Sequence, residues 1–175
     1  MHLMLMNFPL PRPFFRRHPA YILFAIIDKA SGDAFAGVVG FRSVSHEPEH
    51  RDHRLDRRVP PEFRCTYITS NTIGLILNYC LKLPSAPPKR RGLGFRRVQW
   101  SAHPENLPSI ALAERMGFKD SEEGLLRWTW VVPPQVVEGN GIPLRDGDPK
   151  SPSPGRHSAV LSLCPDDWEE STSNT

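Results

Sequence analysis

The chain has 175 residues, a length that suits one domain, and hydrophobic residues make up 39 %, enough for a core. A formal net charge of +3 with both signs interspersed argues against a nucleic-acid binder. The three cysteines, Cys65, Cys80 and Cys164, are too few and too widely spaced for a zinc pattern or a disulfide framework, which points to a reducing, cytoplasmic setting. No apolar run reaches the roughly 20 residues that span a bilayer, and no internal repeat is present.

Residues 1–20 hold four prolines and read as an irregular N-terminal segment without the pattern of a signal peptide. Tyr21–Asp28 and Ala34–Ser43 are apolar runs around the turn Lys29–Asp33, which predicts a β-hairpin. Gly37 and Gly40 mark a bulge or a close backbone approach. His46 to Pro61 is crowded with Arg, His, Asp and Glu. It reads as a solvated loop, because a buried ladder does not hold that many unpaired ions.

Thr69 or Ser70 is the expected cap of a helix over Asn71–Leu83. The stripe of that helix is Ile73, Ile76, Leu77, Cys80 and Leu81, and Pro84 ends it. A Pro- and Lys/Arg-rich loop over Ser85–Gly92 leads to a strand over Phe95–Ser101. Asn106 is a good N-cap, Pro108 is tolerated in the first turn, and the helix runs to Gly117. Strands over Leu125–Val132 and Ser158–Cys164 follow, separated by a long loop. Residues 165–175 read as a polar tail. The order strand, strand, helix, strand, helix, strand, strand implies an α/β domain over residues 21–164, with a mixed sheet flanked by helices.

Three motifs stand in the second half: L-G-F-R-R-V-Q-W at Leu93–Trp100, N-x-x-S-x-x-x-A-E-R-x-G-F at Asn106–Phe118, and E-G-x-L-R at Glu123–Arg127. Together they resemble the acetyl-CoA-dependent N-acetyltransferases of the GNAT superfamily, in the branch of the ribosomal-protein N-terminal acetyltransferases. The resemblance implies that acetyl-CoA is the acetyl donor, that a primary amine is the acceptor, and that no metal is required. It implies a diphosphate site at the start of the first helix, where unpaired amides and the helix dipole suit an anion. The aligned loop runs from Arg64 to Thr69, with Tyr67 and Thr69 where the family carries small residues. Arg64, Thr66, Thr69, Ser70 and Asn71 are its candidate cofactor ligands. By the same resemblance Asn106 contacts the pantetheine arm, and Ser109 lies near the thiol as a general acid. The base is left open between Glu62, His103 and a water. The family's N-terminal strand and two helices and its apolar strand before the phosphate loop are not legible here, so the chain reads as a truncated or divergent relative. A catalytically inactive CoA-binding or interaction module is the alternative to an active enzyme.

Overall fold

The computed structural model describes residues 2–4, 21–43, 53–63, 66–85, 92–131, 142–149 and 151–173. The chain divides into two compact units, one of Met1–Gln99 with Leu163–Thr175 and one of Trp100–Ser162. Strand β5, Val98–Ala102, runs through the boundary.

In the first unit β2 (Tyr21–Asp28) and β3 (Ala34–Ser43) form the expected hairpin at the expected boundaries. Its turn closes through Gly32 and Asp33, both at positive φ (66° and 65°). The register slips between Ile26, paired with Gly37, and Ile27, paired with Phe35, so Ala36 is the extra residue of a bulge beside Gly37 (φ 126°), one of the glycines that the sequence marks. Two strands join this hairpin that the sequence reading omits. β1 (His2–Met4) pairs antiparallel with β2, inside the segment read as irregular. β4 (His53–Arg58) lies antiparallel to β3 over six residue pairs, from Val38–Arg58 to Ser43–His53, and parallel to β5 through His53–Val98 and Arg54–Gln99. The expectation of a loop over His46–Pro61 is therefore corrected for residues 53–58. Ladder hydrogen bonds use only backbone N–H and C=O groups, so a strand with neighbours on both edges forms despite a composition of poor β-propensity.

Helix α1 covers Tyr67–Leu81, with Thr66 as its N-cap, so it begins four residues before the predicted start. The predicted stripe is correct: Ile73, Ile76, Leu77, Cys80 and Leu81 are all buried. The core of this unit joins that stripe to Phe24, Ile26, Val39 and Phe41 of the hairpin. Edge-on aromatic contacts link Phe24 to Phe41 and Tyr79, and Phe41 to Phe95. Beyond α1 the chain folds back so that three successive amides reach carbonyls of its last turn. Leu93 N–H donates to Tyr79 O, Gly94 N–H to Lys82 O and Phe95 N–H to Cys80 O, each at 2.8 Å. Four carbonyls at a helix C-terminus have no intrahelical partner, and this turn answers three of them.

In the second unit β5 neighbours β7 (Gly155–Leu163), which pairs antiparallel with β6 (Lys119–Val131). β6 starts six residues before its predicted start and contains two register shifts. Helix α2, Leu107–Arg115, begins at the expected cap, Asn106, and is followed by Gly117 at φ 89°. Leu112 and Ala113 of α2, Trp100 of β5, and Val160 and Leu161 of β7 are buried. The tail read as polar belongs to the first unit and contains α3, Pro165–Ser173, capped where Asp167 Oδ2 accepts from Cys164 N–H at 3.2 Å. Among the described residues no helix is long and apolar enough to cross a membrane.

Candidate active site

The start of α1 carries most of the predicted cofactor ligands. Arg64 lies outside the described residues. Thr66 is committed to the cap on both sides. Its hydroxyl donates to Phe63 O at 2.8 Å and accepts from Ile68 N–H at 3.3 Å. Thr69 is buried inside the first turn, while Ser70 and Asn71 are exposed. An α-helix leaves its first amides without an intrahelical acceptor, and the Thr66 cap serves one of them. The amides of Tyr67 and Thr69 lie in the same first turn. Thr66, Thr69, Ser70 and Asn71 thus sit in or next to the first turns of α1, and Thr69, expected in the loop or at the cap, is inside the helix.

Tyr67, the bulky residue at a family glycine position, has its side chain tied down. Its hydroxyl donates to both carboxylate oxygens of Asp28, at 2.9 and 2.8 Å. Asp28 ends β2 and is itself buried. It also accepts from Ser31 Oγ at 2.7 Å and from Ala30 N–H at 3.1 Å. These donors, Ser31 first and Tyr67 next, hold the Asp28 carboxyl below the usual carboxylate range against the opposing effect of burial. The same bond from Tyr67 pushes the phenol above its ordinary value. Sequence reading missed this clasp, because Asp28 and Tyr67 are 39 residues apart and no local spacing links them.

The second unit holds Asn106, Ser109 and His103. Asn106 Oδ1 accepts from Ser109 N–H at 3.3 Å, so the N-x-x-S motif is an N-cap and its first turn. With Oδ1 engaged, the carboxamide NH₂ is the free donor. Ser109 Oγ accepts from Trp100 Nε1–H at 3.2 Å. His103 sits in the turn before the helix, where its Nδ1 accepts from Glu105 N–H at 3.2 Å. The Glu105 carboxylate also lies 4.0 Å from the same Nδ1. Glu62 falls in the short 3₁₀ turn Pro61–Phe63. Cys80 is fully buried, which pushes its thiol well above the ordinary range and leaves it inert.

The model of the acetyltransferase (GNAT) domain matches residues 10–119, well over half of the chain. The chain belongs to the GNAT acetyltransferase family. Solved structures carry the same fold. A GCN5-related N-acetyltransferase from Brucella melitensis aligns with a TM-score of 0.61 at 24 % identity over 89 % of this chain. The alignment takes in 56 % of that protein, so this chain spans little more than half of its length. A mutant form of the spermidine/spermine N-acetyltransferase of Vibrio cholerae aligns with a TM-score of 0.62 at 14 % identity, over 89 % of this chain and 74 % of that one. The same enzyme in complex with manganese ions gives a TM-score of 0.60 at 15 % identity, over 89 % and 72 %. No curated protein matches the sequence significantly. The GNAT fold accounts for the strand order within each unit, β1-β2-β3-β4-β5 in the first and β5-β7-β6 in the second. It also accounts for β4, the strand before α1 that the sequence conceals.

Proposed function

We propose that this GNAT domain is an N-acetyltransferase that moves the acetyl group of acetyl-CoA to a primary amine. The observation that carries the reading is the start of α2, where one cap brings a free carboxamide donor on Asn106 and a hydroxyl on Ser109 to the same helix end. Asn106 suits an amide carbonyl of the pantetheine arm. Ser109 suits the departing sulfur. In the first unit the Tyr67 and Thr69 amides, with the hydroxyl of Ser70, the carboxamide of Asn71 and the cation of Arg64, suit the diphosphate. Thr66 contributes by holding the cap.

The neutral amine attacks the thioester carbonyl, the N–C bond forms, and the C–S bond breaks with its electron pair on sulfur. Most of the acceleration comes from holding the two reactants together, with hydrogen-bond donors at the developing charges. The base is Glu62, His103 or a water. The acceptor is either a polyamine, the substrate in the name of the Vibrio enzyme, or the N-terminus of a protein, as the motif at Leu93–Trp100 suggests. A cytoplasmic site of action suits the free thiols Cys80 and Cys164.

A second reading, a non-catalytic CoA-binding module, rests on Tyr67 at the start of α1, where the family carries a small residue. Thermal melting with acetyl-CoA, followed by free-thiol release with spermidine and with a peptide bearing a free N-terminus, separates the two. Stabilisation with thiol release supports the enzyme, and stabilisation without release supports the module. No stabilisation by acetyl-CoA overturns both.

A further inference from the structure

We propose that Trp100 is a positioning residue that aims the Ser109 hydroxyl at the thioester sulfur. The inference rests on the acetyltransferase reading of Ser109. It starts from an asymmetry of chemistry: an indole N–H donates and never accepts, whereas a serine hydroxyl does both. The 3.2 Å contact between Trp100 Nε1 and Ser109 Oγ therefore has one direction, with the serine oxygen accepting. The hydroxyl hydrogen must then point away from Trp100.

The surroundings fix both partners. Trp100 lies on β5 and is 4 % exposed, with the ring of Phe118 edge-on to it at a centroid distance of 5.5 Å. The Ser109 backbone is pinned by the cap, since its amide donates to the carbonyl and side-chain oxygens of Asn106. The Asn106 side-chain oxygen, already taken by that amide, competes poorly for the hydroxyl hydrogen. The partly buried hydroxyl keeps one hydrogen to give while its oxygen accepts from the indole. Accepting one hydrogen bond also strengthens the one it donates.

In the reaction, Ser109 gives its hydrogen to the sulfur as the C–S bond breaks. It is restored by the proton that the acylated nitrogen sheds, so the serine ends as the neutral alcohol and the products are amide and free thiol. Trp100 exchanges no proton and serves only to orient and polarise.

The test uses the full chain and the variants Trp100→Phe, Ser109→Ala and both together. Phe retains the ring that packs on Phe118 and lacks the N–H. Turnover is followed as free thiol with acetyl-CoA and spermidine or a free-N-terminus peptide. Trp100→Phe should lower kcat on the order of tenfold, the effect of one neutral hydrogen bond, at unchanged acetyl-CoA affinity. The double variant should be no slower than Ser109→Ala, because Trp100 acts through that hydroxyl. A wild-type kcat in Trp100→Phe, or losses that multiply in the double variant, overturns the role. A second readout needs no turnover. In ¹H–¹⁵N spectra the indole N–H signal that Trp100→Phe deletes should shift when CoA is added, and in Ser109→Ala it should stay in place. A signal that stays in place in the wild type while CoA binds overturns the proposal. A chain that binds no CoA overturns the acetyltransferase reading itself.

Discussion

The Tyr67 hydroxyl donates to both oxygens of Asp28, which ties the first residue of α1 to the end of β2. Tyr67 stands where the family carries a small residue. Here its phenol is drawn to a carboxylate at the hairpin turn. The clasp predicts a pH-dependent stability with two limbs. Asp28 is held below the usual carboxylate range, so it binds its proton less readily folded than unfolded. Its contribution is present above about pH 4 and drains away as the pH falls through the depressed folded value. Tyr67 is raised, so its contribution is intact below about pH 10 and is lost as the pH rises through the raised folded value. In Tyr67→Phe the alkaline limb should disappear and the acid limb should shrink, because Ser31 and Ala30 still donate to Asp28. Melting temperatures across the pH range check this, and an unchanged alkaline limb would remove the clasp from the account.

Gly92→Ala should destabilise the protein by on the order of 2 kcal/mol, because an added Cβ there meets backbone rather than a flexible side chain. The atoms in its way are the carbonyl oxygens of Lys82 and Tyr79, the same groups that the Leu93 and Gly94 amides answer. Urea denaturation measures the loss. A stability within a few tenths of wild type would show that the turn after α1 is free to move.

Asn106 has two separable roles. Asn106→Ala should cost about 1 kcal/mol of stability through the lost cap. Asn106→Asp keeps an acceptor for the Ser109 amide, so it should fold with wild-type stability. It replaces the carboxamide donor with a negative charge, and its acetyl-CoA affinity should fall by about tenfold or more. Calorimetric titration of both variants decides, and an Asp variant that binds as the wild type does would remove Asn106 from the cofactor site.

The amides of His53–Arg58 should be protected from hydrogen exchange, since six residue pairs join β4 to β3. Exchange at loop rates across this segment would return it to the solvated loop that its composition suggests.

The local devices were legible from the sequence. The hairpin boundaries, the buried stripe of α1, the Asn106 cap and the glycine stop after α2 follow from periodicity and from residues whose conformational preferences act within one turn. The family was legible too, because its motifs in the second half stand close together in sequence. β4 was not. Its residues carry charge where strands usually carry apolar side chains, and its stability comes from ladder bonds to partners far away in the chain. The same reason hides the clasp between Asp28 and Tyr67. It also explains why Leu93–Phe95, read as part of a family motif, proved to serve the C-terminus of α1 through their backbone amides. Side-chain identity predicts what a residue does to its own turn. Which distant carbonyl, carboxylate or hydroxyl it meets was decided only when the chain had folded.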